Sequence, residues 1–205
     1  MKRIFVINPG CTSTKVAVYE DENPVWTSDG LHDPAEIDKF STINEQYEYR
    51  KDFVLNLLKE AGIPLKFDAV IGRGGLLKPL QGGVYAINEL MKKDLWNAKH
   101  QHVCNLGSLI ADEIAHECHC PAFMADPVVV DEMMTRARYT GLPFMKRESI
   151  FHALNAKAAS RRYARSIGKH YEELNLVVAH LGGGICVSAH HNGKVIDVNN
   201  ALNGE

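Results

Sequence analysis

Two turns of small residues carry the side chains in this sequence best suited to anion chemistry. The first, Asn8-Pro9-Gly10-Cys11-Thr12-Ser13-Thr14, lies between two β-rich runs and leads into Lys15. A plain hairpin needs two turn residues, so a stretch this long reads as a loop built to hold something. It can offer phosphate oxygens the amides of residues 10–14, the hydroxyls of Thr12, Ser13 and Thr14, and the charge of Lys15. No G-x-x-x-x-G-K-[ST] pattern is present, so it is not a Walker A loop. The second turn, Gly182-Gly183-Gly184, follows an apolar run that ends near His180. Consecutive glycines let backbone approach a ligand closely, at an entropic cost that an unused turn has no reason to bear. A histidine beside them can donate a hydrogen bond to a phosphoryl group. Taken alone, the first turn is equally an unoccupied loop; His180, whose alternative is a core histidine, reads as a ligand contact because ligands gather at strand ends.

Four further positions bear on the same chemistry. Arg73, between glycines in "IGRGG", can clamp a carboxylate or phosphate bidentately. Asp126, after the run "AFMA", can orient His180 or stabilise nearby charge, or simply form an Asx turn. His102 and Asn105 read either as substrate contacts or as a loop ending in a helix cap, and the cap is the simpler reading. Asp131 and Glu132 read as first-turn helix residues, Gly82-Gly83 as a plain turn, and Cys11 and Cys186 as small packed residues. The "HECHC" at 116–120 lacks the second paired-ligand element of a structural zinc site.

These residues need strands and helices to hold them. "IFVIN" is continuously apolar, "KVAVYE" alternates and "PVWTS" extends a third strand. Helical spacing predicts a helix over Tyr47 to Glu60 closed by Gly62, a second from an Asn88 cap, a third from Asn105 to about His116, and a long one from Arg147 to Ile167. "DAVIG" and "AFMA" are short buried strands. "LNLVVAH" is another buried strand, and "ICVSAHH" and "KVIDV" are joined by Asn192-Gly193, a type I′ hairpin signal. The order strand, small-residue turn, strand, turn, strand thus occurs twice. The first copy predicts a mixed five-stranded sheet in a domain over residues 1–145; the second, over 146–205, stops early and would leave its sheet with a bare face, which implies that the chain is a fragment or that the missing partner is supplied elsewhere.

Composition excludes several classes. A net charge of −2 offers no field for nucleic acid or anionic membrane, and the apolar runs are too short to span a bilayer. Five irregularly spaced cysteines make no disulfide framework, which points to a reducing cytoplasm.

Duplicated units of this kind, with glycine-rich turns facing each other across a cleft, are the plan of actin-like (ribonuclease H-like) α/β kinases and ATPases, here βββαβαβα with a truncated second copy. Together "VINPGCTSTK", "IGRGGLLKPLQGG", "HVCNLGSLIA", "DPVVVDEM", "SIFHALNAKA" and "HLGGGICVSAHHNGKVIDVNNALNGE" resemble the acetokinase family of acyl-phosphate kinases, Pro9 and "GRGG" favouring its butyrate branch. The resemblance spans the chain and implies reversible phosphoryl transfer between butyryl phosphate and ADP, giving butyrate and ATP with Mg²⁺, in a homo-oligomer. It places Asn8, Gly10, Thr12, Ser13, Thr14, Lys15, Gly182, Gly183 and Gly184 near phosphates, with Asn8 reaching the metal through water. It makes Arg73, His180 and Asp126 catalytic and puts His102 and Asn105 on the substrate side. The family continues past "NALNGE" into a segment carrying the adenosine pocket, so the 205 residues alone are expected to be inactive. The alternatives are a propionate, isobutyrate or acetate kinase of the same fold, and a silent phosphate-binding module.

Overall fold

In the computed structural model, residues 1–182 and 184–202 are described. They form two compact units, one of residues 1–77 and 84–125 and the other of residues 78–83 and 126–205. Compactness is a different criterion from the repeated strand pattern on which a boundary near 145 rests.

Unit 1 holds β1 (Arg3–Pro9), β2 (Ser13–Glu20), β3 (Asn23–Leu31), α1 (Pro34–Ile37), α2 (Tyr47–Glu60), β4 (Ala69–Arg73), β5 (Val84–Ala86), α3 (Glu89–Trp96), α4 (Cys104–Glu117) and β6 (Ala122–Ala125). The described strands form a six-stranded sheet in the order β3-β2-β1-β4-β6-β5. β1, β4 and β6 run parallel, while β2, β3 and β5 are antiparallel to their neighbours. One strand more than expected is present: the three-residue β5 is too short and too exposed to show a period.

Alternation along β1 and β2 turns Phe5, Ile7, Val16 and Val18 inward, where they meet Val54 and Leu58 of α2 and Leu106, Ile110 and Ile114 of α4. α4 is apolar on most of its circumference and correspondingly buried. It lies close to the sheet because Gly72 of β4 faces Gly107: a Cβ on Gly72 would overlap the Gly107 carbonyl. A Cβ on Gly107 would likewise come within 3.0 Å of the Pro9 ring. The first turn of α4 therefore sits against the strand ends that carry Asn8 and Arg73. Asn88 caps α3 by accepting from the Met91 amide, and Gly62 follows α2 with φ +65°, both as the sequence predicts.

Unit 2 holds α5 (Ala153–Ser166) and the antiparallel sheet β7 (Asn175–Leu181), β8 (Ile185–His191) and β9 (Lys194–Val198). Asn192 and Gly193 have φ of 50° and 75°, as a type I′ turn requires. Val130, Met133, Phe151, Ala153, Ala156, Cys186, Val195 and Val198 form its core. β7 is not the buried strand its apolar run suggests. Among the described residues Val177, Leu181, Ile185 and Val187 stay exposed, because α5 covers only the other face of the sheet. α5 begins at Ala153 rather than Arg147. Residues 147–151 instead carry no regular structure and are held by side-chain and backbone bonds: Arg147 binds Asp197 and the Val198 carbonyl, Ser149 Oγ donates to the Val130 carbonyl and the Phe151 amide donates to that of Val128.

Candidate active site

The first turn is tighter than its sequence suggests. The β1–β2 ladder runs on through Asn8↔Lys15 and Pro9↔Thr14, which leaves Gly10, Cys11 and Thr12 outside the strands. The Gly10 amide is spent on the Ser13 carbonyl at 2.7 Å. The carbonyls of Gly10 and Cys11 accept from Arg50 at 3.0 and 3.3 Å, and that of Thr12 accepts from the His32 amide at 3.0 Å. Three successive carbonyls are thus drawn inward. The amides of Cys11 and Thr12 have no partner among the described residues, and both residues are exposed. Two exposed, unpartnered amides are donors of the kind that can bind an anion, fewer than the five expected.

Thr14 is not part of that surface. It is fully buried, with its hydroxyl against His32 Nε2 at 2.8 Å. Alternation along β2 puts it on the core side. Lys15 points the other way and pairs with Asp29 at 3.2 Å, exposed. Cys11 is exposed rather than packed.

Arg73 ends β4 and donates to Asn8 Oδ1 at 3.4 Å, so guanidinium and amide lie side by side near the turn. Its charge, after burial, holds the His102 imidazole below its usual pKa; His102 Nδ1 accepts from the Cys104 amide at 3.2 Å. Burial pushes the Cys104 thiol up to about 11. Asn105 is no cap. It lies inside α4, fully buried, where Oδ1 accepts from the Leu76 amide at 2.9 Å and Nδ2 donates to the His100 carbonyl at 3.3 Å. A Cβ on Gly75 would strike Asn105. The glycines around Arg73 therefore serve close packing of its loop against α4, a local cause for what looks in sequence like ligand access.

In unit 2, His180 is the penultimate residue of β7 and lies within a set of partners. Asn155 Nδ2 donates to its Nδ1 at 2.9 Å, which leaves the ring proton of the neutral imidazole on Nε2. That nitrogen faces the glycine turn: a Cβ on Gly182 would lie 3.4 Å from it. The His152 ring stacks on His180 with centroids 3.8 Å apart and planes 9° from parallel. Gly184 lies against His152, where a Cβ would come within 3.1 Å. Gly183 lies outside the described residues. Sequence reasoning missed Asn155 and His152; their offset from His180 carries no local period, although both lie in the quoted "SIFHALNAKA".

Asp126 does not orient His180. It is 4% exposed, at φ +36°, with Oδ1 accepting from the Gly83 amide at 2.8 Å and Oδ2 from Arg161 at 2.9 Å. Gly82-Gly83 is accordingly more than a turn, since the Gly82 amide donates to Glu132. Asp131 and Glu132 lie outside any helix. Asp131 pairs with Arg138, and Glu132 with Lys157, both members buried.

The donor set suits an anion. Beside the first turn stand a guanidinium, two amides and one amide oxygen, and the one carboxylate among the contacts described, Asp29, is taken up by the Ser13 hydroxyl and Lys15; no group of three His, Cys, Asp or Glu able to hold a metal occurs among the described residues, the 116–120 cluster included. A hard cation needs oxygen ligands, so these residues do not fit direct Mg²⁺ ligation.

Residues 143–203 match the family model described as "Acetokinase family". A "Probable butyrate kinase" of Phocaeicola vulgatus is 69% identical over 203 residues, spanning 99% of this chain and 57% of that protein. Butyrate kinase 1 of Clostridium acetobutylicum is 50% identical over 207 residues, spanning 100% of this chain and 58% of that one. Among solved structures, Porphyromonas gingivalis acetate kinase superposes with a TM-score of 0.71 at 17% identity, over 98% of this chain and 58% of that one. A Francisella tularensis propionate kinase gives 0.63 at 18%, over the same shares. The fold is thus the actin-like α/β fold of those kinases. The chain spans 57–58% of the length of these curated relatives, and along its whole length it is a homologue of butyrate kinases, with the acetokinase family's match in residues 143–203.

Proposed function

We propose that the chain is the N-terminal portion of a butyrate kinase, which moves a phosphoryl group reversibly between butyryl phosphate and ADP. The observation that carries this reading is the turn Gly10–Thr12. Its carbonyls are held inward and two amides turned out, with Arg73 and Asn8 beside it, in a chain 50–69% identical to butyrate kinases.

Phosphoryl transfer asks a protein mainly for positioning and for neutralisation of charge on the equatorial oxygens. In this reading the turn amides and the Thr12 and Ser13 hydroxyls bind phosphate oxygens, and Arg73 clamps the anionic end of the acyl substrate bidentately. His102 and Asn105 serve the substrate side, Asn105 by anchoring the loop after Arg73. His180 donates from Nε2 to the phosphoryl group, and the glycines 182–184 admit the nucleotide's phosphates. Asp126, with both oxygens engaged, acts by fixing the backbone where β6 ends. Lys15 adds positive potential. Were Mg²⁺ to come bound to ATP or ADP, it would neutralise phosphate charge, and Asn8 would meet it only through water. The protein works as a homo-oligomer in the cytoplasm; among the described residues no helix is long and apolar enough to cross a membrane.

The test is a coupled assay of the full-length protein against butyrate, isobutyrate, propionate and acetate, with the Arg73→Ala and Arg73→Lys variants. Butyrate should give the highest kcat/KM. Arg73→Ala should lower it at least 10²-fold, and Lys should recover little, since a point charge cannot reproduce the fork. Preference for another acid reassigns the substrate. A fully active Arg73→Ala refutes the site.

A further inference from the structure

Arg50 is the largest side chain in the molecule buried without residual exposure. It rises from the buried face of α2 directly behind the first turn. Its contacts are the carbonyls of Gly10 and Cys11, Gln46 Oε1 at 2.9 Å, Thr14 Oγ1 at 3.4 Å and His32 Nε2 at 3.1 Å. None is a carboxylate. A guanidinium can only donate, so His32 Nε2 accepts and the ring proton sits on Nδ1, toward the Tyr49 hydroxyl at 3.3 Å. Burial and this neighbouring charge push the His32 pKa down to about 4, so the ring is neutral and adds no countercharge or second cation.

A buried cation without a counter-ion is costly, and hydrogen bonds to neutral acceptors offset only part of that cost. A brace for two carbonyls needs no charge; an amide donor would do. What lies on the far side of those peptide groups is the exposed pair of Cys11 and Thr12 amides. A peptide polarised by a cation at its carbonyl end presents a more positive N–H at the other, and the low dielectric of the core carries the field toward the turn surface.

We propose that Arg50 is a positioning residue of the anion site: it holds the turn carbonyls inward and supplies a further positive charge from beneath, its counter-ion being the bound phosphate. This rests on the turn being the phosphate site proposed above. It adds a role for a residue that never touches the ligand, and it explains why an uncompensated guanidinium is kept in the core.

The experiment titrates inorganic phosphate into the full-length protein and follows the Cys11 and Thr12 amides and the Arg50 Nε–H by NMR. Wild type is compared with Arg50→Lys, Arg50→Gln and Arg73→Ala, and the folding of each variant is checked from its amide spectrum. Arg50→Gln, which keeps a donor and loses the charge, should weaken phosphate binding roughly tenfold, the scale of a unit charge acting across a few ångströms of partly screened protein. Arg50→Lys should stay within about threefold. A mere brace predicts no such gap, because Lys and Gln both keep N–H donors for the turn carbonyls and should then bind phosphate about equally well. In wild type the Arg50 Nε–H resonance should shift in step with the two amides, a readout that stands even if a variant fails to fold. If the amides shift and Arg50→Gln binds phosphate like wild type, or the Nε–H resonance stays still, the proposal is overturned while the phosphate site survives. If the Cys11 and Thr12 amides do not respond, the site reading itself fails, and this inference with it.

Discussion

Replacing Lys157 with Met tests the polar core of unit 2. Lys157 Nζ lies 2.9 and 2.8 Å from the two oxygens of Glu132, with side chains 3% and 5% exposed. Glu132 also accepts from the Gly82 and Val195 amides at 3.1 and 2.8 Å. Lys157→Met keeps the volume but strands a buried carboxylate, which costs about 3–5 kcal/mol, a loss of roughly a hundredfold to a few thousandfold in the folding constant. Adding Glu132→Gln removes the charge. Its single acceptor oxygen keeps one of the two amides and leaves the other unpaired, so the double variant should sit only about 1–3 kcal/mol below wild type. Both tryptophans, Trp26 and Trp96, belong to unit 1. The assay is therefore urea unfolding by far-UV circular dichroism, with hydrogen exchange of the Val195 amide as the local reporter. A single variant costing less than about 1 kcal/mol, or a double no more stable than the single, refutes the reasoning.

Three further outcomes are expected. Gly72→Ala places a methyl group against the Gly107 backbone, which cannot give way as a side chain would, and should cost about 3 kcal/mol in unit 1 by urea unfolding; a neutral result would mean that α4 can withdraw from the sheet. His190 is 2% exposed between the Tyr171 and Ser188 hydroxyls, and burial lowers its pKa from 6.5 to about 4. The unfolded chain then binds the extra proton first, so stability should fall by on the order of 3 kcal/mol as pH drops from about 6.5 to 4, and the His190→Gln variant should show a flatter profile. In the full-length protein His180→Ala should lower kcat by about 10²-fold with little change in KM for ADP, and His180→Gln should fall between; near-normal kcat with weakened ADP binding would make His180 a nucleotide contact instead.

Local rules wrote much of this chain's secondary structure. The strands at both ends, the helix over Tyr47 to Glu60, the Asn88 cap, the left-handed Gly62 and the Asn192-Gly193 turn each follow from a period or a backbone preference within a few residues. The repeated strand–turn–strand pattern and the motif set were enough for the fold and for the likeness to butyrate kinases. Tertiary structure decided the rest, because partners there lie far apart in sequence. The seven-residue opening turn shrank to three when the ladder closed through Pro9↔Thr14, taking the Thr14 hydroxyl into the core. α5 lost its expected first turn to the Arg147 and Ser149 contacts. Asn105 became an anchor for Leu76, 29 residues away, and Asn155 the partner of His180, 25 away. Arg50, an ordinary charged helix residue by its type, is buried only because its helical face meets a turn 40 residues earlier whose carbonyls need a donor. Periodicity tells which face of an element is buried; it cannot tell which groups meet there, and in this protein those meetings set the chemistry.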